Sequence, residues 1–323
     1  MSNKLPTIGF IGNFVPPFST ENDRKWSFEK LGYKVVPFQE SRTTVEELRR
    51  HMRDEFYSDP IGVECFDVLF YSHTHGWEIP GLIEFFEECK EKKIPTVSVH
   101  LDRWAWLERV TDVGKEATWF TEHLFMADGS PEAEQLYARH SLNWHFLKPG
   151  VVERDCYMAA PDPAMFPHEI VFVGSKGYHP EYAFRPKLIE FLAETYGDRF
   201  GHWGNDGLGV IREGGLNTLM ASAKIVVGDS CFGGRPDYVS DRYYETRGRG
   251  GFLLHPHPEG GRIDNVGVGH YQPQNLVSLK EKIDYYLEHS FEREEMREMG
   301  FNWVKDHETY TNRTKEMMEV IFP

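Results

Sequence analysis

Cysteine is scarce in this chain, and what there is lies scattered. Cys65, Cys89, Cys156 and Cys231 are spread over 323 positions with no CxxC or Cys/His spacing. A chain of this length buries a sizeable core without covalent staples, so the four read as free thiols of a reducing compartment. Long apolar runs are missing as well. Nothing approaches the roughly 20 residues that a membrane helix needs. The first apolar run is broken by Gly9, Gly12 and Pro16 and has no cleavage-site pattern behind it. The expectation is a cytoplasmic protein with no membrane partner. Positive charge is also in deficit: 36 Lys and Arg stand against 51 Asp and Glu, and the net charge of −15 opposes long-range attraction to nucleic acid. A local basic groove is compatible with that balance.

Two motifs are absent, and each absence removes a class of chemistry. Gly9-Phe-Ile-Gly12-Asn13 follows an apolar run but lacks the G-x-G-x-x-G spacing that seats a dinucleotide, which weakens an oxidoreductase reading. No Asp-x-Asp pair offers carboxylates to a divalent cation holding a diphosphate. His73-x-His75 and His255-x-His257 have metal-like spacing but no third ligand in any recognised pattern. No metal site and no cofactor are expected.

What is present is alternation. Short apolar runs at 8–11, 34–38, 67–71, 96–101, 123–126 and 144–147 are separated by stretches of helical period at 23–31, 45–56, 82–92 and 132–140. The apolar runs are two-sided, as strands of a parallel sheet covered on both faces should be. Proline and glycine among polar residues then interrupt the pattern. It resumes with strands at 170–174, 200–203, 225–228 and 252–255 and helices at 186–196, 216–223, 241–249 and 276–289. The fold class expected is α/β, with two doubly wound, Rossmann-like domains. The divisions are 1–150, a linker over 151–168, a second domain over 169–291, and helices over 292–323 that pack back on the first domain. In such sheets ligands bind beyond the carboxyl ends of the strands.

The segment Asp237-Tyr-Val-Ser240-Asp241-Arg242-Tyr-Tyr-Glu245-Thr-Arg-Gly-Arg-Gly250-Gly251 carries the most chemistry. Ser240 is an N-cap residue type and Asp241 suits a first helical turn, so a helix start facing an anion is expected there. Arg242 adds a cation beside it. Glu245, one turn on, offers a carboxylate to ribose hydroxyls, and Gly250 belongs to the tight passage into the next strand. The bland alternative is an ordinary capped helix followed by a turn.

This segment resembles the C-terminal signature of the CgeB-like group of GT-B glycosyltransferases, in which S-D-R-x-(aromatic)-E precedes a glycine pair and an apolar strand. Val171-Phe-Val-Gly174-Ser175, Arg185 opening a helix, and His307-Glu-Thr-Tyr-Thr-Asn-Arg313 agree in order. Ser19-Thr-Glu-Asn22, Phe28-Glu-Lys-Leu-Gly32 and Val97-Ser-Val-His-Leu-Asp102 look like glycosyltransferases encoded by bacteriophages. The resemblance implies a GT-B fold and transfer of a sugar from a nucleoside-diphosphate sugar, by default a UDP-hexose, to a hydroxyl acceptor. A modified base of phage DNA, a protein and a small metabolite are all open as acceptors. In retaining members two acidic residues eight positions apart flank the donor. Asp237 and Glu245 hold those positions here, with Asp237 in place of the usual Glu.

Further donor contacts are expected from Gly174 and Ser175 at a strand end and from Arg185. Trp203 suits stacking on a base and core packing equally well. Gly12 and Asn13 end the first strand, where backbone would pass close to phosphates or sugar; a plain strand-to-helix turn is the alternative. His100 and Asp102 end the fourth strand, where an imidazole beside a carboxylate could deprotonate an acceptor hydroxyl. A buried structural histidine would look the same in sequence. A non-catalytic nucleotide-sugar-binding module is the competing reading for the whole chain.

Overall fold

A computed structural model describes residues 5–52, 63–72, 78–106, 116–177, 182–231 and 234–323. The chain divides into two compact units. One comprises Met1–Ala127, Glu132–Leu147 and Tyr310–Pro323, and the other comprises Asp128–Pro131 and Lys148–Thr309.

The first unit is built on strands β1 (Thr7–Gly12), β2 (Lys34–Gln39), β3 (Val68–Tyr71), β4 (Thr96–His100), β5 (His123–Met126) and β6 (Trp144–Phe146). They form one sheet in the order β2-β1-β3-β4-β5-β6, and every pair is parallel. Successive side chains of a strand point to opposite faces, and the two faces of this sheet have separate cores. Ile11, Phe38, Leu69 and Tyr71 pack with helices α2 (Val45–Arg50) and α3 (Leu82–Glu91), represented by Leu48, Phe85 and Phe86. Ile8, Phe10, Val68 and Phe70 pack on the other side with Phe28 of α1 (Thr20–Lys30). Helix α4 (Pro131–Arg139) lies between β5 and β6 in the chain.

The second unit has strands β7 (Ile170–Val173), β8 (Phe200–Trp203), β9 (Ile225–Val227), β10 (Leu253–Pro256) and β11 (Val268–Tyr271). Their order is β11-β10-β9-β7-β8, again all parallel. Ile170, Phe172, Val227 and Leu254 face helices α5 (Phe184–Tyr196) and α8 (Leu276–Glu288). Val171 and Val226 face α6 (Glu213–Ser222). Helix α7 (Arg242–Gly248) leads into β10. This is the doubly wound architecture expected twice over.

Two differences from the sequence reading have simple causes. β11 was not expected, because Gly267 and Gly269 break up the apolar pattern around Val268 and Tyr271; it forms by adding an edge to β10. The tail also divides. Helix α9 (Ser290–His307) stays with the second unit, where its Val304 meets the turn at Gly248, and only α10 (Tyr310–Ile321) joins the first. The reason is where the apolar side chains lie: Met317, Met318 and Ile321 of α10 complete the core beside Phe28, whereas α9 buries only Arg293, Gly300 and Val304. Among the described residues no helix is long and apolar enough to cross a membrane.

Candidate functional site

The polar groups of the second unit gather where its strands end. β7 stops at Gly174, whose φ of +140° is open to glycine alone among common residues. Over that glycine lies the guanidinium of Arg242: a Cβ built on Gly174 would fall 2.4 Å from Arg242 Nη2. Arg242 Nε donates to the carbonyl of Val173 at 2.6 Å, and the guanidinium lies 5.6 Å from the centre of the Phe172 ring. The sequence therefore needs glycine at 174 because the arginine occupies the place of a side chain.

Arg185 approaches the same ring from 5.7 Å, but its charge is already spoken for. Its Nε and Nη2 grip the fully buried Asp229 at 2.9 Å each, and Nη1 donates to the Ser175 carbonyl at 3.2 Å. Arg242 has no carboxylate hydrogen-bonded to its guanidinium among the described residues. Burial first, and then the like charge of Arg185, pull its pKa below the usual arginine range. An anion arriving here would relieve both penalties.

Helix α7 begins one residue later than expected. Asp241 is the cap, its carboxylate accepting from Arg242 N at 2.7 Å. The amides of Tyr243 and Tyr244 donate to Ser240 and Asp241, so the first turn consumes its own donors. The first three amides of the helix are thus taken up within the protein, and the cation beside them is the Arg242 side chain. The Ser240 hydroxyl lies 3.2 Å from that of Ser230, which also receives the Ser240 amide and stands 2.5 Å from His255 Nε2. Burial pushes the His255 pKa down to about 3. Neutral His255 donates from Nδ1 to the Pro256 carbonyl at 2.7 Å and accepts from Ser230 at Nε2.

Glu245 is half-buried one turn into α7. Its Oε2 accepts from Arg249 Nε at 2.6 Å, and Oε1 has no hydrogen bond among the described residues. Burial raises the carboxyl pKa, and Arg249 opposes that rise. Gly250, at φ +78°, is buried against Met158, and its carbonyl accepts from Arg297; its part is in the turn and in packing.

Several expected contacts have other employment. Asp237 is buried at φ +47°, and its Oδ1 accepts the Arg262 amide at 2.7 Å, so it fastens the loop after β10. The half-buried Trp203 ring packs 5.4 Å from that of Phe166, against the core beneath α6. Gly174 is also braced from this side: its carbonyl lies 2.7 Å from His202 Nε2.

In the first unit, Gly12 is covered too, but by an acid. A Cβ there would fall 2.6 Å from Glu21 Cγ, so the missing side chain makes room for Glu21, not for a ligand. Glu21 is buried and accepts from the Ser72 hydroxyl at 2.7 Å; burial raises its pKa. Asn13 accepts from Gln39 Nε2 at 3.2 Å. His100 is buried at the end of β4 and its Nδ1 accepts the Asp102 amide at 3.1 Å. A backbone amide only donates, so in this contact the ring meets its neighbour's backbone. His73 and His75 lie outside the described residues. The His257 ring lies 4.7 Å from that of His270, tilted by 53°. Among the described residues no group of three or more His, Cys, Asp or Glu is placed to hold a metal ion.

Sequence reading passed over Asp229, Ser230, Asn217, Asp155 and Glu21. Asp229 alone had a signal, as a charge directly after a buried strand; Arg249 stood out only as part of a basic cluster with Arg242 and Arg247 that suits a phosphate-bearing ligand.

Residues 185–319 match the model of a family described as glycosyl transferase-like. No curated protein matches the chain in sequence. Among solved structures, HepE of Anabaena in complex with UDP and glucose superposes with a TM-score of 0.65 at 11% identity, covering 98% of this chain and 99% of that one. Sucrose-phosphate synthase of Thermosynechococcus elongatus gives 0.60 at 10% identity, over 97% and 98% of the two chains. BGT of phage T4 with its UDP-glucose substrate gives 0.56 at 12%, over 98% and 100%. The chain has the fold of GT-B glycosyltransferases.

Proposed function

We propose that this protein is a glycosyltransferase whose second unit binds a nucleoside-diphosphate sugar, with UDP-hexose as donor, and passes the sugar to a hydroxyl acceptor. The observation that carries the reading is Arg242. It is a cation at the carboxyl end of a parallel sheet, lodged over Gly174 beside a second arginine, with no carboxylate hydrogen-bonded to its guanidinium among the described residues. A diphosphate supplies the missing charge, and Glu245, one turn away, has an oxygen for the ribose. The CgeB-like signature around Ser240 to Gly251 and the UDP complexes of HepE and T4 BGT support the choice of ligand.

On this reading the phosphates are neutralised by an arginine, and no divalent cation is required. Transfer from UDP-glucose should persist in EDTA; loss of activity that manganese or magnesium restores would overturn that part. A thermal-shift panel of UDP, GDP, dTDP and NAD tests the donor, since a ligand that binds the native state raises the melting temperature. A shift with a nucleoside diphosphate is expected, and a shift with NAD alone would contradict the proposal. Mass spectrometry of products formed with host extract, proteins and phage DNA carrying hydroxylated bases identifies the acceptor. The net charge of −15 works against duplex DNA as the acceptor.

A further inference from the structure

The Arg249 side chain is bonded through every nitrogen of its guanidinium, and none of these bonds is needed to close α7. It is 5% exposed. Nε donates to Glu245 Oε2 at 2.6 Å, Nη1 to Asn217 Oδ1 at 2.7 Å and Nη2 to Asp155 Oδ2 at 2.5 Å. Asn217 is itself fixed, because its Nδ2 donates to the carbonyls of Asp155 and Tyr157 at 2.8 Å each. The planar fork is thus held at all three of its nitrogens by groups from three places in the chain.

The consequence falls on Glu245. With one oxygen tied to a fixed guanidinium, the carboxylate loses its freedom to rotate and Oε1 is left in a single direction. Burial favours the neutral acid, and the adjacent cation counters it. Without Arg249 the carboxyl would gain rotational freedom, and the effect of burial would lose its counterweight.

We infer that Arg249, seated by Asp155 and Asn217, is a positioning residue that fixes Glu245 as an aimed acceptor and so gives the donor site its preference for ribonucleotides over their 2′- or 3′-deoxy forms. This rests on the donor reading above. An ionised acceptor meeting a ribose hydroxyl makes a charge-assisted bond, which a deoxy sugar forfeits.

The experiment is calorimetric titration of the full chain with UDP, GDP and ADP and with the 2′-deoxy and 3′-deoxy forms of each. For the wild type, at least one ribonucleotide should bind about tenfold more tightly than one of its deoxy forms. In Arg249→Met that ratio should collapse towards one while the affinity for the deoxy form stays close to wild type. A merely structural residue would weaken both nucleotides together and leave the ratio standing, and that result overturns the inference. Arg249→Lys should restore part of the ratio. If Arg249→Met fails to fold, Asp155→Asn answers the same question, since it unseats Arg249 without removing its charge. A reduced ratio supports the inference, and an unchanged one overturns it. A wild type that binds none of the nucleotides overturns the donor reading and the inference with it. A wild type that binds ribo- and deoxyribonucleotides equally overturns the inference alone.

Discussion

The carboxyl ends of the first strands of the two sheets pose the same local problem and solve it with opposite charges. β1 ends at Gly12 and β7 at Gly174, and in both a long side chain occupies the space that a Cβ would need. At Gly12 it is Glu21, buried and bonded to Ser72. At Gly174 it is Arg242, whose guanidinium is bonded, among the described residues, to the Val173 carbonyl through Nε. A buried acid over the strand end repels a phosphate, whereas a cation in the same place attracts one. A glycine after a strand is therefore not by itself a sign of a phosphate site. The side chain that covers it decides.

The largest expected effect breaks the comparison on its cationic side. Arg242→Ala should lower nucleoside diphosphate affinity about a hundredfold, near the upper end of what charge-assisted bonds contribute, about 3 kcal/mol. Titration calorimetry with UDP checks it, and wild-type affinity in the variant would remove the phosphate from this end. Glu245→Ala should cost less, about tenfold, because Arg249 already holds one of its oxygens. The same titration measures it, with circular dichroism to confirm the fold.

On the acidic side the expected effect is on stability. The folded pKa of Glu21 lies above its ordinary value because of burial, so the protonated carboxyl is the form that favours the fold. That stabilisation is complete below the unfolded pKa and is lost as pH rises through the folded one. Glu21→Gln should therefore raise the melting temperature at neutral pH, and the gain should vanish as pH falls below the ordinary glutamate range. A gain independent of pH would contradict this account. The smallest effect is expected at Trp203. Trp203→Phe should leave nucleotide affinity within about twofold and cost about 1 kcal/mol of stability as a loss of core packing. A large loss of affinity in calorimetry would return the indole to the ligand.

Both sheets were legible in the sequence because strands buried on two faces read as apolar runs, and helices between them keep a 3.6-residue period. β11 was hidden because edge pairing to β10, not the propensity of Val268–Tyr271, creates it. At the site, the residue types from Ser240 to Glu245 pointed to one place, since they lie within one turn and a cap. What could not be read was how each charge is spent. Arg185 and Arg242 are alike in sequence, yet Asp229, 44 residues beyond Arg185, takes the charge of one and not the other. Asp237 matched a catalytic position by spacing, but its carboxylate is committed to a loop amide at Arg262 that no spacing rule connects to it. Gly12 gave the same signal as Gly174 because a glycine does not record which side chain it admits.

Hydrogen–deuterium exchange with and without saturating UDP tests the central claim most directly, because it locates the ligand without a substitution. Protection is predicted in peptides covering 173–176 and 239–250, with exchange over 8–22 unchanged. Protection over 8–22 with none over 239–250 would place the nucleotide at the acidic strand end and contradict the assignment.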